Sequence, residues 1–245
     1  MTTEPVEHPD GISIVVPVFN ERDNLEPLVR EIEAAVSGLG RWYEIILVND
    51  GSTDGSREII RKLQGERPTV RGLHFRANAG QTAALDAGFQ AAAGGIIITL
   101  DADLQNDPAD IPALLEALAS HTAAVGYRAV RNDNWLRKVS SVIANGIRNG
   151  VSGDRIRDTG CSLKVFRAGP LRRIPLYKGM HRFLPTLLRM DGGTVVELPV
   201  SHRPRLSGDS KYGIRNRALG ALVDLLAVRW MKKRKLDYEV TEDER

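Results

Sequence analysis

Apolar runs rich in β-branched residues recur through the first hundred positions, at Ile12–Phe19, Glu44–Asn49, Val70–Phe75 and Ile96–Leu100, each bounded by Gly, Asn or Asp. Runs of this length and composition predict strands buried on both faces of a parallel sheet. Between them the apolar positions change period. Leu25, Leu28, Val29, Ile32 and Val36 fall three or four residues apart, and similar spacing predicts helices over Asn24–Val36, Ser56–Leu63 and Gln81–Ala92. Strand and helix alternating in this way predict an α/β fold: a doubly wound, mostly parallel sheet with flanking helices and its functional loops at the strand carboxyl ends. A further helix over Ala109–Ala119 is started by Asp107-Pro108, since proline suits a first helical turn, and Val125–Arg128 reads as another strand.

Beyond residue 130 the alternation fades into a helix at Trp135–Asn149, a short strand at Ser162–Arg167, a helix at Arg182–Met190, a strand at Thr194–Pro199 and a final helix at Ile214–Met231. The expected organisation is a disordered tail over 1–11, a single domain over 12–213, an amphipathic basic helix over 214–235 and an acidic tail over 236–245. No internal repeat is present, and no run of about 20 apolar residues is long enough to cross a bilayer. The first ten residues are polar and acidic, without a basic stretch leading into an apolar one, so the expectation is no signal peptide and a cytoplasmic protein.

Composition adds two constraints. One cysteine, Cys161, excludes an internal disulfide and cannot build a thiolate metal site alone; its default reading is a small buried side chain. The formal charge of +3 hides an asymmetry: residues 1–120 hold 9 Lys and Arg against 19 Asp and Glu, whereas residues 121–245 hold 25 against 12. An acidic half suits a metal site, and a basic half suits phosphates, anionic lipid or nucleic acid.

The candidate chemistry sits after the most hydrophobic strand, in Leu100-Asp101-Ala102-Asp103-Leu104-Gln105. Two carboxylates two residues apart at a strand end, with an amide oxygen close by, suit a hard divalent cation such as Mg²⁺ or Mn²⁺. The loop Asn49-Asp50-Gly51-Ser52-Thr53-Asp54-Gly55-Ser56 combines a turn with helix-capping chemistry, in which Ser52, Thr53 or Asp54 can cap the next helix.

These motifs, taken together and in order, resemble family 2 inverting glycosyltransferases of the GT-A fold and, more narrowly, the dolichol-phosphate or polyprenyl-phosphate sugar synthases. The likeness rests on Ile14-Val15-Val16-Pro17-Val18-Phe19-Asn20-Glu21, Val48-Asn49-Asp50-Gly51-Ser52-Thr53-Asp54, Asn78-Ala79-Gly80-Gln81, Asp101-Ala102-Asp103-Leu104-Gln105, His202-Arg203-Pro204-Arg205 and Ser210-Lys211-Tyr212. The resemblance implies that Pro17, Val18, Asn20 and Glu21 line the base and ribose pocket and that Asp50 hydrogen-bonds base or ribose. It implies a sugar or ribose contact for Asp101, alongside Ala102, and a metal held by Asp103 with Gln105. It places Arg128 and Arg131 against phosphate, with Arg205 and Lys211 closing over the diphosphate from a late loop. A helix-capping role competes for Asn20. Asp158 stands at a family-like acidic position, where it positions the acceptor loop or a phosphate-binding arginine, with catalytic base as the lesser role.

The resemblance also bears on the acceptor. A phosphate whose second pKa is about 6 is already largely a dianion at neutral pH and needs no general base. The Gln-x-x-Arg-Trp motif of processive polysaccharide synthases is broken here, because Leu226 stands where the Gln belongs before Arg229-Trp230. The implied partners are a nucleotide-sugar (GDP-mannose or a UDP-sugar), a polyprenyl or dolichyl phosphate, and the inner membrane face, with the chain peripheral there. Leu219, Leu222, Val223, Leu226, Trp230 and Met231, flanked by Lys232-Lys233-Arg234-Lys235, suit an interfacial helix; packing on the domain or on a second copy of the chain is the alternative. The competing readings are a family 2 enzyme acting on a saccharide hydroxyl and a non-catalytic nucleotide-sugar-binding protein. Dinucleotide and P-loop motifs are missing, and the basic half lacks the aromatic interleaving of a nucleic-acid binder.

Overall fold

The computed structural model describes residues 8–129, 156–204 and 214–236, with backbone alone for 214–222. The expected helix Trp135–Asn149, Arg131, the late-loop residues Arg205 and Lys211, and most of the acidic tail lie outside the described residues.

Seven strands form one sheet: β1 His8–Val18, β2 Tyr43–Asn49, β3 Val70–His74, β4 Gly94–Thr99, β5 Ala123–Arg128, β6 Lys164–Arg167 and β7 Val195–Val200, in the order β3-β2-β1-β4-β6-β5-β7. β6 runs antiparallel to both of its neighbours, β4 and β5, and the remaining pairings are parallel. The chain moves outward from β1 through β2 to β3, then returns to lay β4 on the other side of β1. That reversal opens a crevice at the carboxyl ends of β1 and β4, where α/β sheets receive ligands.

Helices cover both faces. α1 Leu25–Val36, α2 Ser56–Glu66 and α4 Ile111–Ala117 share one hydrophobic cluster with Ile12, Ile14, Val16 and Val18 of β1. On the other face α3 Gln81–Ala91 and the later helices α5 Ala168–Arg172, α6 Leu184–Met190 and α7 Ile214–Arg234 share a cluster with Val15, Ile46, Val48 and Ile97. Alternate residues of β1 therefore feed opposite cores, which is why its sequence is apolar on both faces apart from the buried Ser13.

β1 begins at His8, inside the segment expected as a tail, with a register shift against β4 between His8 and Ile12. The His8 ring stacks on Trp42 at 3.9 Å and 15°, giving these first residues a partner that polar composition did not reveal. Helix α5 carries Gly169-Pro170 in its first turn, where proline sacrifices no helical hydrogen bond. One buried polar group also holds strands together: Glu44 on β2 accepts from Ser13 Oγ (2.7 Å), Ala93 N (2.7 Å) and Arg71 Nη1 (2.6 Å).

Gly88 decides how closely α3 approaches β1, since a Cβ there would stand 2.2 Å from Val15 Cγ1. Alanine gains about 1 kcal/mol in helix propensity, but overpacking a buried contact costs about 1–3 kcal/mol. Gly88→Ala should therefore be neutral to destabilising and Gly88→Val clearly destabilising in urea titrations; a higher midpoint for Gly88→Val would refute this packing.

Candidate active site

Three loops meet at the crevice, and hydrogen bonds to side chains lace them together. The Asn20–Arg22 backbone donates to the loop after β2: Asn20 N to Ser52 Oγ (2.9 Å), Glu21 N to Ser56 Oγ (3.1 Å) and Arg22 N to Asp54 Oδ2 (3.1 Å). Thr53 N donates back to Asn20 Oδ1 (2.8 Å), so the Asn20 side chain bridges two loops rather than capping α1. Asn20 takes the left-handed conformation, φ 56°, which asparagine tolerates better than most residues. The N-cap of α2 is Gly55, and Asp54 just before it accepts from the first helical residue, Ser56 N (3.0 Å) and Oγ (2.6 Å).

Asp50 organises the third loop. Its buried carboxylate accepts from Asn78 Nδ2 (2.8 Å), Ala79 N (2.7 Å) and Gly80 N (2.9 Å). Gly51, with φ +70°, has to be glycine here, since a Cβ would lie 2.5 Å from Asn78 N. The turn so formed starts α3 at Gln81, whose Nε2 donates to Asp101 Oδ1 at 2.8 Å. Asp50 thus reaches Asp101 through the Asn78–Gln81 turn.

The Asp101–Gln105 loop is gripped from both sides. Asp101 N donates to Ser162 Oγ (3.2 Å), which in turn donates to Asn106 Oδ1 (2.5 Å), and Ser162 O accepts from Thr99 Oγ1 (2.7 Å). Gln105 O accepts from Arg203 N (2.9 Å), Asn106 bridges to His202, and the Arg203 guanidinium spans Asp107 (2.6 Å) and Glu31 (2.7 Å). Leu104 inside the loop has φ 60°, a conformation these anchors sustain. Ser162, Asn106 and Gln81 received no role from the sequence, because what connects them is spatial: residues 20 to 61 positions from their partners in the chain meet at one strand end.

The sequence-derived residues are thereby largely brought together. Pro17 and Asp101 line the same cavity, and Glu21 is close enough to raise the Asp101 pKa electrostatically while its Oε2 accepts from Asn24 Nδ2 (2.6 Å). Val18 and Ala102 are buried in the core, and the Val18 carbonyl accepts from Asp50 N, so neither side chain lines the crevice. Arg128 and Asp158 form a bidentate pair, Nε to Oδ2 at 2.7 Å and Nη2 to Oδ1 at 2.9 Å, and Asp158 also accepts from Arg128 N (3.3 Å) and Gly160 N (3.1 Å). A carboxylate holding four donors is poorly suited to removing a proton, and it fixes the plane of the guanidinium.

Burial, and next the charge of Asp103, push the Asp101 carboxyl up to about 6 from the usual 3.8. Among the described residues no group of three or more His, Cys, Asp or Glu gathers as a closed metal cage. The oxygen donors of Asp103 and Gln105, with Asp101 beside them, instead fit a hard cation that keeps open positions for water and substrate phosphate. A divalent ion beside Asp101 would relieve the repulsion that raises its pKa.

The profile described as "Glycosyl transferase family 2" matches residues 13–177, a stretch that contains every loop of the crevice from β1 to Ser162 and Lys164. The chain belongs to glycosyl transferase family 2. It is therefore a sugar transferase by family. Curated relatives of this family 2 chain include a dodecaprenyl-phosphate galacturonate synthase from Rhizobium johnstonii, 39% identical over 240 residues, covering 96% of this chain and 70% of the relative. Another is an undecaprenyl-phosphate 4-deoxy-4-formamido-L-arabinose transferase from Edwardsiella ictaluri, 39% identical over 206 residues, covering 83% of this chain; the match spans 63% of that relative's length. Among solved structures, the mannosyltransferase PcManGT from Pyrobaculum calidifontis in complex with GDP-Man and Mn²⁺ aligns at TM-score 0.66 and 19% identity, over 92% of this chain and 67% of its own. Glucosyl-3-phosphoglycerate synthase from Mycobacterium tuberculosis, in complex with Mn²⁺, UDP and phosphoglyceric acid, aligns at TM-score 0.69 and 17% identity, over 93% and 80%. These neighbours establish the GT-A fold, here with one antiparallel strand in an otherwise parallel sheet.

The raised Asp101 pKa carries a sign. Its unfolded-state value of 3.8 lies below its folded value, so without cation this group makes the fold less stable as pH rises from about 4 to about 6, the reverse of a salt-bridged carboxylate. A cation at Asp103 must compete with that proton. Calorimetric titration with Mn²⁺ should give an affinity that is flat above about pH 7 and falls by up to about tenfold per unit below about pH 6; a flat affinity from pH 5 to 7 would contradict the placement of Asp101 beside the ion.

Proposed function

We propose that this family 2 transferase moves a sugar from a nucleotide diphosphate to a polyprenyl phosphate, with inversion at the anomeric carbon, at a membrane surface. The observation that carries the reading is the 39% identity to the dodecaprenyl-phosphate galacturonate synthase, which runs over 96% of this chain. The relative from Edwardsiella ictaluri, likewise named for a polyprenyl-phosphate acceptor, supports it.

The crevice can do this chemistry with few groups. The Asn20–Glu21 and Asp50 loops form the wall for base and ribose; Asp50 acts there by holding the Asn78–Gly80 turn, and what remains of its oxygen lone pairs accepts from the nucleotide. Asp101 orients the sugar. Asp103 and Gln105 would hold Mg²⁺ or Mn²⁺, which supplies charge neutralisation to the departing diphosphate. Arg128, oriented by Asp158, presents a fixed cation to a phosphate, and Arg131, Arg205 and Lys211 add positive charge from segments outside the described residues. A phosphate dianion attacks without surrendering a proton, which agrees with Asp158 being spent on Arg128 rather than poised as a base. Rate then comes from alignment and from stabilising the leaving group.

The membrane part of the reading rests on α7. Leu225 and Val228 are buried against the second core, leaving Val223, Leu226 and Trp230 exposed at 59%, 52% and 63% along the outer side. The exposed Lys232, Lys233 and Arg234 end this stripe. An apolar stripe beside a basic cluster fits an anionic bilayer interface. No helix of the described residues is long and apolar enough to cross a membrane.

Two measurements test this reading. Labelled UDP- or GDP-sugars with Mn²⁺ and undecaprenyl phosphate should yield a chloroform-soluble labelled product, and Asp103→Ala should lower the rate by at least about 100-fold; label appearing in a soluble saccharide instead would point to a hydroxyl acceptor. Vesicles containing anionic lipid should retain the protein in flotation assays, and Leu226→Ser with Trp230→Ser should release it without changing turnover of detergent-dispersed acceptor. Equal flotation of this double variant would exclude the α7 stripe as the contact.

A further inference from the structure

Beneath Asp101 lies a small cavity of about 20 Å³, lined by Gln81, Asp101, Ser162, Lys164, His181 and Leu184, among others. That volume accommodates one water-sized group. The groups around it are unusual for a space of this size. Lys164 sits on β6 directly opposite Thr99 in the β4 pairing, is 5% exposed, and donates to the Cys161 carbonyl, which uses one of its three N–H groups. A buried ammonium is costly to desolvate and is seldom found without further acceptors.

His181 lines the same space, and its hydrogen bonds favour one tautomer. Thr82 Oγ1 accepts from Gly179 N at 3.0 Å and lies 2.8 Å from His181 Nδ1. With the backbone donor on its oxygen, the hydroxyl satisfies every atom by giving its proton to Nδ1, which leaves the hydrogen of the imidazole on Nε2. Burial, then the nearby Arg182 and Lys164 charges, push His181 down to about 3, so the ring is neutral and Nε2 remains a donor across the working pH range. The cavity therefore combines one carboxylate acceptor, Asp101, with two donors, Lys164 and His181.

A single hydroxyl is the group that matches: it gives one proton, to Asp101, and accepts on its two lone pairs, from Lys164 and His181. We propose that this cavity is a one-oxygen socket for a hydroxyl of the transferred sugar, with Lys164 and His181 as specificity-determining residues and a water holding the place before the donor binds. The socket rests on the reading of the crevice as a nucleotide-sugar site and names which side chains select the sugar within it. Neither residue stood out as a candidate in the sequence. Lys164 interrupts the apolar run Leu163–Phe166, and His181 belongs to a turn that α7 covers, where a Cβ on Gly179 would stand 2.3 Å from Asp224 Oδ2.

The test compares UDP-galacturonate, UDP-glucose and GDP-mannose with the monodeoxy analogues of whichever binds, by calorimetry with Mn²⁺ on the full chain. One deoxy position should lose affinity by on the order of 100-fold while the others change little, because removing that hydroxyl leaves three buried polar groups without their partner. In Lys164→Met and in His181→Phe that selective loss should shrink to about fivefold or less, with UDP or GDP itself bound as in the native chain. His181→Gln, which can keep an N–H near the Nε2 position, should restore part of the discrimination, and thermal melting identifies any variant that has failed to fold. Equal tolerance of every deoxy analogue by the native chain, or full discrimination in folded Lys164→Met and His181→Phe, would overturn the socket. Failure of all three parent nucleotide-sugars to bind would instead sink the transferase reading on which it stands.

Discussion

The crevice depends on one buried carboxylate. Asp50 follows β2, and by accepting from Asn78, Ala79 and Gly80 it converts the return from β3 into a turn of fixed shape. Unpaired, those three donors and the carboxylate would each bear a desolvation cost of about 1–3 kcal/mol, so the loop has little freedom to open. Several other contacts inherit their placement from that turn. α3 starts at Gln81, Gln81 reaches Asp101, and Thr82 reaches His181. One carboxylate thus supports the whole Asn78–Gln81 side of the crevice, including the contact to Asp101.

A second constraint is charge. Burial and then the nearby Asp103 charge raise the Asp101 pKa, and Ser162 and Lys164 oppose that rise. Glu21 adds to this negative charge, since it too raises the Asp101 pKa. From the basic second half, Lys164 lines the same cavity as Asp101. The like charges of Asp101 and Asp103, held this close, favour uptake of a cation, which would offset the repulsion between them.

The GT-A architecture was legible before the structure because β1, β2 and β4 are buried on both faces and so are apolar throughout, while α1 presents a single stripe. Asp101, Asp103 and Gln105 were legible for a related reason: a strand end fixes where such residues stand. Corrections fall where a partner distant in sequence determines the outcome. Asn20 bridges to Thr53 rather than capping a helix, His8 is drawn into β1 by Trp42, and the Val18 side chain turns to the core while its carbonyl accepts from Asp50 N. Asp158 shows the same effect: Arg128, 30 residues away in the chain, engages both of its oxygens, a pairing the sequence does not display.

By itself, then, the sequence determined the sheet, the order of its loops and the identity of the carboxylates, because hydrophobic period and strand ends are local properties of the chain. Tertiary structure decided which polar atoms face one another. Ser162 beneath Asp101, Arg203 across Glu31 and Asp107, and Lys164 with His181 around a single oxygen-sized space are pairings between segments far apart in the chain. Hydrogen bonding acts over about 3 Å and is directional, so no periodicity along the chain can encode it.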